Sequence, residues 1–390
     1  MDGFTKHNHI TEYGVVMGTG TGASCQRTEN FLASSKGIIL AGGIIGILAA
    51  LLQYFGNPGN MGICVACFER DIAGSLGLHQ AKVVQYLRPE IIGLGLGAFI
   101  AALAAREFAP RGGSSPLVRL LLGIVAALGA LVFLGCPWRA ILRLAGGDGN
   151  ALLGIAGLAV GIFLGAQFLR RGYSLGESKQ QPRVMGLLFP VVLVGLLALR
   201  VIFAPVEGQE QSGILWYSLK GPGSQHAALL LSLGAGLAAG FLAQRSRFCT
   251  VGAFRDIFLH KSFHLFSGLA ALGLAAFAVN LAVGQFHPGF EGQPIAHTDG
   301  LWNFLGMLVA GLAFALGGGC PGRQLFAGGE GSSDAALFAL GMLLGGAIAH
   351  RLGTASSATG VGPNGPLAVG IGLAFCLLIA FCFTRRRATA

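Results

Sequence analysis

Cysteine residues recur in the same order in the two halves of this chain, within stretches that are otherwise apolar. Cys64, in Gly-Ile-Cys-Val-Ala-Cys, has a counterpart in Cys249, in Arg-Phe-Cys-Thr-Val-Gly, at an offset of 249 − 64 = 185. Cys136, in Gly-Cys-Pro-Trp-Arg, has a counterpart in Cys320, in Gly-Cys-Pro-Gly-Arg, at an offset of 320 − 136 = 184. Thiols repeated in register predict a duplicated fold whose centre is suited to sulfur and to anions.

Arginine residues accompany each of these cysteines. Arg139 and Arg323 follow the two Cys-Pro cysteines by three positions and have no acid beside them, which favours contact with an anion. Two further arginines follow the other cysteines by six positions, and each precedes an aspartate, as Arg70-Asp71 and Arg255-Asp256. For these residues, structural Arg–Asp pairs across a pseudo-twofold axis stand as an equal alternative to anion binding, because an intramembrane charge needs a partner or water.

Cys67 gives the first half a C-x-x-C pattern, Cys64-Val-Ala-Cys67, where the second half has Gly252. This pattern occurs in redox and zinc sites. A structural zinc site needs four ligands, however, and the sequence has no second C-x-x-C or C-x-x-H pair to complete one. The histidines form no ligand pair at i, i+4 spacing, so no metal site is predicted. Unmatched cysteines are expected to be small buried hydrophobes, namely Cys25, Cys376 and Cys382.

The composition is that of a membrane protein. Hydrophobic residues make up 53% and charged residues 11%, against roughly 25% charged in soluble domains. Apolar runs of about 20 residues can cross the hydrocarbon as helices. The sequence therefore predicts an all-α polytopic fold with spans at 37–55, 91–106, 117–134, 151–169, 184–204, 226–243, 264–283, 301–318, 335–350 and 366–383.

The distribution of lysine and arginine predicts the orientation. Connections 106–116, 170–183 and 244–263 are basic, as is the tail 384–390, whereas 284–300 has no lysine or arginine. The positive-inside rule then places both termini in the cytoplasm and the chain in the inner (plasma) membrane. No cleavable signal peptide is evident in the polar segment 1–36. The basic residues are scattered over span ends, so nucleic-acid binding is not predicted.

The ten spans divide into two repeats of five, 37–204 and 226–383, joined by a linker at 205–225. An odd number of spans inverts the second repeat relative to the first. The connections that carry the four matched cysteines are too apolar for plain loops, so we expect short re-entrant helices after each cysteine. Pro137 and Pro321 suit a first helical position, which places Cys136 and Cys320 near N-caps, where anions are favoured.

These motifs resemble the YeeE/YedE family of membrane proteins, whose characterised activity is thiosulfate uptake. The resemblance covers roughly the first to the ninth span, and the stretch from Asn60 to Gly74 is similar to a YedE-related branch associated with selenium metabolism. It implies that the matched thiols of Cys64, Cys136, Cys249 and Cys320 hand a sulfur- or selenium-bearing anion along a pore. A neutral thiol can donate a weak hydrogen bond to such an anion without repelling it.

Three classes of function remain open from the sequence. The first is a transporter or channel for a small sulfur- or selenium-containing anion. The second is a membrane thiol oxidoreductase that uses Cys64 and Cys67, although only one repeat has both cysteines. The third is a subunit that delivers its substrate to a soluble sulfur- or selenium-carrier protein. The sequence contains no phosphate-binding loop, nucleophile elbow or cofactor fingerprint, so neither an enzyme nor a cofactor is predicted.

Overall fold

Fourteen α-helices and four two-residue strands form the described part of the chain, residues 30–384, in a computed structural model. Ten of the helices lie at the predicted spans. They are α1, Ser35–Tyr54; α3, Pro89–Ala104; α4, Pro116–Phe133; α6, Asn150–Arg170; α7, Arg183–Ile202; α8, Leu229–Ser246; α10, His264–Ala282; α11, Gly300–Gly317; α13, Ser333–Arg351; and α14, Gly365–Cys382. The all-α polytopic fold is thus confirmed.

Nine of these ten helices contain a stretch long and apolar enough to cross a membrane, and α3, at Pro89–Ala104, is shorter with 16 residues. The span predicted at 91–106 therefore exists but is shifted by two residues toward the N-terminus. Pro89 occupies the first position of α3, where its fixed φ and missing N–H suit a helix start.

Four shorter helices begin directly after the four matched cysteines. They are α2, Val65–Ser75; α5, Pro137–Ala145; α9, Thr250–His260; and α12, Pro321–Gly329. Each of these helices is too short to cross a bilayer, since an α-helix rises about 1.5 Å per residue. The short helices that the motifs predict are present at the predicted places.

Contacts join the basic connections to one another. Strand β1, Arg111–Gly112, pairs antiparallel with β2, Lys179–Gln180. Glu107 forms an ion pair of 2.9 Å with Arg247, which follows α8. The connections around residues 107–112, 179–180 and 247 therefore share one face of the protein, which we call the basic face.

Both ends of the described chain lie on this basic face. Thr384, after α14, bridges to Tyr173 in the connection that carries β2. The hydroxyl of Ser35, at the start of α1, lies 3.2 Å from Nδ1 of His264, at the start of α10. Because the start of α1 and the end of α14 lie on the same face, the chain between them crosses from face to face an even number of times.

The remaining connections contact one another on the opposite face. The connection after α7 contains β3, Gln211–Ser212, paired with β4, Leu215–Trp216. Its end joins the connection after α1, because the side chain of Asn57 accepts a hydrogen bond of 2.8 Å from the N–H of Ala227. Helices α1 and α8 begin on different faces, so the two halves of the chain have inverted directions.

The main helix contacts repeat under this inversion. Helix α1 packs against α10 and α3 packs against α8, while α4 packs against α13 and α6 against α11. Each contact has an image in which the halves exchange roles, since α8, α10, α11 and α13 are the counterparts of α1, α3, α4 and α6. The fifth helices break the pattern, because α7 packs against α3 and α12 whereas α14 packs against α11 and α4.

Glycine residues allow the paired helices to approach closely. A Cβ at Gly157 or Gly161 on α6 would lie 2.0 or 2.1 Å from a backbone carbonyl oxygen of α11. Such distances are not possible for real carbon atoms, so only glycine fits. Small residues at helix interfaces are typical of membrane proteins, where close backbone packing replaces the hydrophobic effect between helices.

Candidate functional site

The cysteines that precede α2 and α9 both act as helix N-caps through their sulfur atoms. Sγ of Cys64 accepts a hydrogen bond of 3.3 Å from the N–H of Cys67, and Sγ of Cys249 accepts one of 3.2 Å from the N–H of Gly252. Both caps have extended backbone dihedrals, which direct the side chain toward the free N–H groups of the first turn. The matched positions therefore have matched local geometry.

The two Cys-Pro cysteines occupy the same kind of position. Cys136 and Cys320 are the N-caps of α5 and α12, and the following prolines are the first helical residues. Sγ of Cys320 accepts a hydrogen bond of 3.4 Å from the N–H of Arg323. All four matched thiols thus lie at positive ends of helix dipoles.

The four thiols form two groups. Sγ of Cys249 and Sγ of Cys320 are 3.9 Å apart, and we call this pair the second cysteine centre. Cys64 makes side-chain interactions with Cys136 and Cys67, and we call these three residues the first cysteine centre. None of the cysteines in the described chain forms a disulfide.

The ring of Trp138 connects the two centres. It belongs to α5, directly after Cys136-Pro137, yet it lies against Phe248 and Phe326 of the second half, at centroid distances of 5.7 and 6.0 Å. A Cβ at Gly322, the counterpart of Trp138, would lie 3.5 Å from this ring. A second indole cannot fit at the same place, which explains the change from tryptophan to glycine between the repeats.

Arg139 is fully buried beside the first cysteine centre. Its Nη1 lies 3.9 Å from Sγ of Cys67. Its other donors bond to backbone carbonyls of the opposite face, including those of Asn60 at 3.2 Å and Ile295 at 3.0 Å, and Leu134 also accepts from Nη1. No described carboxylate pairs with it.

Arg323, the counterpart of Arg139, has an acidic partner that the sequence prediction did not identify. Its Nη1 donates to Glu330 over 2.9 Å, and Glu330 also pairs with Arg247 at 2.8 Å and Arg111 at 3.1 Å. Burial opposes ionisation of Glu330, but the three guanidiniums outweigh it and lower its pKa. Arg323 is therefore part of an ion-pair cluster on the basic face.

Each of the two Arg-Asp dipeptides forms an internal ion pair. Arg70 donates to Asp71 over 2.7 Å, and Arg88 donates to the other oxygen of Asp71 over 2.8 Å. Arg255 donates to Asp256 over 2.8 Å. The Arg70 pair is buried with 2% of the arginine side chain exposed, whereas 23% of Arg255 is exposed. Both dipeptides thus form Arg–Asp pairs, and a role of these residues in anion binding stays a prediction.

Glu330 has a counterpart in Asp148, at an offset of 182. Asp148 pairs with Arg143 over 2.6 Å, and both side chains are fully buried. The repeat Ala-Gly-Gly-Asp/Glu-Gly that contains both acids was the signal for their importance.

A small polar cavity opens on the opposite face above Arg139. Its volume is about 160 Å³. Asn60, whose carbonyl accepts from Arg139, is one of its lining residues, and the others are Gln53, Gly146, Gln285, His287, Gln293 and Pro294. Between residues 30 and 384, no group of three or more potential metal ligands comes together.

Comparison with known proteins gives two similarities. Residues 245–383 match the model of a family described as sulphur transport. The chain is also 34% identical over 107 residues to the thiosulfate transporter TsuA of Escherichia coli strain K12, an alignment that covers 26% of this chain and 29% of that protein. The chain thus matches less than a third of that relative's length. These findings confirm the resemblance to the YeeE/YedE family.

Proposed function

We propose that this YeeE/YedE-type membrane protein carries a small sulfur- or selenium-containing anion across the bilayer. The family match and the similarity to a thiosulfate transporter support a sulfur species as the cargo. We further propose that the cargo is an oxyanion, that its soft atom is sulfur or selenium, and that the cysteines contact it. The resemblance of residues 60–74 to a selenium-associated branch keeps selenium compounds among the candidates.

The observation that carries this proposal is the grouping of four register-matched thiols at four helix N-termini. Free N–H groups and the positive end of the helix dipole favour an anion at such positions. The thiols are weak, polarizable donors, which suit a soft terminal sulfur or selenium better than a hard oxygen. Several weak sites in series also let the ion leave, which conduction requires.

The charges around the two centres support an anion path. The cluster on the basic face joins the carboxylates of Glu107 and Glu330 to the guanidiniums of Arg111, Arg245, Arg247 and Arg323. Arg139 supplies a further positive charge at the first cysteine centre. In our proposal the polar cavity above Arg139 is the entrance from the opposite face.

The orientation of the path is part of the proposal. We assign the basic face to the cytoplasm, because lysine and arginine are retained on that side of bacterial inner membranes. The anion would then pass from the polar cavity to the first cysteine centre, then to the second, and leave beside Arg323. Release to a soluble carrier protein is compatible with this direction.

Uptake into vesicles that contain the purified protein tests the proposal. We expect uptake of radiolabelled thiosulfate or selenite by the native protein and loss of about 90% or more of it in Cys320→Ala, since the anion would lose one thiol of a pair. Cys376→Ala is the matched control, because Cys376 is buried in α14 without a counterpart in the other repeat. Equal uptake by native protein and Cys320→Ala would refute the thiol path.

A further inference from the structure

Two buried hydrogen-bonding groups at the second cysteine centre have no partner among the described residues. They are the indole Nε1 of Trp138 and the hydroxyl Oγ1 of Thr250. Trp138 is 2% exposed and Thr250 is fully buried. An unsatisfied buried polar group costs free energy, and such groups in native structures call for a functional explanation.

The N–H edge of Trp138 faces the start of α12. The ring atom nearest to a Cβ at Gly322 would be Cζ2. Cζ2 and Nε1 are both bonded to Cε2, so they lie on the same edge of the indole. Gly322 is the second residue of α12, and Cys320 is the N-cap of that helix. The free N–H is therefore on the side of Trp138 that meets the second cysteine centre.

Thr250 belongs to the same centre. It is the first residue of α9, directly after the N-cap Cys249, whose Sγ lies 3.9 Å from Sγ of Cys320. The thiol of Cys320 also interacts with the backbone N–H of Thr250. Thr250 thus follows one thiol residue of the second cysteine centre in the chain and interacts with the other through its backbone N–H.

The first cysteine centre has no equivalent of these two groups. The counterpart of Thr250 is Val65, and the counterpart of Trp138 is Gly322. Neither side chain can form a hydrogen bond. The two hydrogen-bonding groups without partners therefore occur at the second cysteine centre alone. The duplicated fold forms at the first centre without them.

We propose that the second cysteine centre holds the oxygen atoms of the transported anion through Trp138 N–H and Thr250 O–H, while its thiols face the soft sulfur or selenium. This inference rests on the proposed function and narrows its substrate class. The cargo must have oxygen acceptors as well as a soft terminal atom, as thiosulfate does. Hydrosulfide has no oxygen and offers these two donors only its sulfur, which is a weaker acceptor.

The test compares an oxygen-bearing anion with an oxygen-free competitor in vesicle uptake. Trp138→Phe removes the N–H and keeps most of the ring, and Thr250→Val removes the hydroxyl and keeps the shape. We expect each variant to raise the KM for thiosulfate by about tenfold or more, as expected for a hydrogen bond to a charged group. Hydrosulfide should inhibit the native protein and both variants at the same concentration.

Two controls separate binding from structural damage. Thr250→Ser retains the hydroxyl and should restore the native KM for thiosulfate. Trp302→Phe makes the same chemical change at a half-buried tryptophan of α11, outside both centres, and should leave the KM unchanged. If Trp138→Phe does not fold, the comparison of Thr250→Val with Thr250→Ser decides the matter alone.

The outcomes distinguish this inference from the proposed function. If the KM for thiosulfate stays within about twofold in Thr250→Val and in folded Trp138→Phe, or if inhibition by hydrosulfide weakens equally, the oxygen-binding role is wrong. The proposed thiol path would still stand if Cys320→Ala abolishes uptake in the same vesicles. If Cys320→Ala has no effect, the proposed function fails first.

Discussion

The first and second cysteine centres have the same backbone geometry but differ in their access to the surroundings. Cys64, Cys67 and Cys136 are all buried, whereas Cys249 is partly exposed. The arginines beside the two centres differ in the same way: Arg139 is fully buried, whereas 17% of the Arg323 side chain is exposed. The inverted repeat is therefore asymmetric in this conformation, with the second centre open toward the basic face and the first centre closed.

This difference indicates how a symmetric fold can conduct in steps. Alternating access by one repeat against the other is the general use of inverted repeats in transporters. We propose that the structure represents one of two such arrangements, so its two halves should differ in accessibility and stability.

The largest expected contrast is in thiol accessibility. In variants that retain a single cysteine, a membrane-impermeant methanethiosulfonate added from the basic face should modify Cys249 about ten times faster than Cys64, since a buried thiol reacts only when it becomes exposed. Labelling rates measured by mass shift check this. Equal rates for the two cysteines from the same side would contradict the asymmetry.

The matched acids should differ in their contribution to stability. Asp148→Asn leaves Arg143 buried without its partner and should lower the free energy of unfolding by about 3–5 kcal/mol. Glu330→Gln should cost less, about 1–3 kcal/mol, because its arginine partners are partly exposed and solvent screens them. Thermal unfolding in detergent measures both, and a larger loss in Glu330→Gln would reverse the comparison.

The pH dependence of the Glu330 cluster follows from its lowered pKa. The three arginines hold the folded pKa of Glu330 below its ordinary value of 4.5. Its contribution to stability is therefore complete above pH 4.5 and is lost as the pH falls through the folded pKa. In Glu330→Gln this acid-induced loss should shrink, which thermal melts between neutral and acidic pH detect.

Cys67 distinguishes a thiol path from redox catalysis. Cys64→Ser should abolish most uptake, whereas Cys67→Ser should retain a substantial part of it and change the preference between selenium and sulfur species, because Cys67 has no counterpart in the second centre. A dithiol catalyst would need both cysteines equally. Complete loss in both variants, together with a trapped Cys64–Cys67 disulfide, would favour the oxidoreductase.

The smallest effects are expected in α14. Cys376→Ala and Cys382→Ala should change uptake by less than about twofold, since neither residue belongs to a cysteine centre and isolated substitutions of this kind usually have small effects. Uptake rates under the same conditions check this. A large loss in either variant would mean that α14 forms part of the path.

The sequence predicted the backbone of the site well because its signals are local. A proline after Cys136 and Cys320, together with the constant offsets between the repeats, located all four short helices and their caps. Ten spans followed from apolar runs of sufficient length. Helix α3 begins and ends two residues before its predicted bounds, because an apolar run alone does not fix a helix end.

The side-chain partners were less accessible to prediction because they depend on how distant elements pack. Arg323 lacks an acid beside it in the sequence, yet α12 folds so that Glu330, seven residues later, reaches its guanidinium. Arg88 joins Asp71 from the start of α3, 17 residues away. The glycine at position 322 could not be explained from the sequence, because its reason is the ring of Trp138, which packs against the second half of the chain.

The central claim is that the anion moves along the four matched thiols. The most direct measurement is uptake of labelled thiosulfate and selenite by a variant in which Cys64, Cys136, Cys249 and Cys320 are all replaced by alanine, with Cys376→Ala as the matched control. The account predicts that this variant folds, as judged by its elution as a monodisperse species, and transports neither anion above the rate of empty vesicles. Uptake at the native rate by the fourfold variant would contradict it.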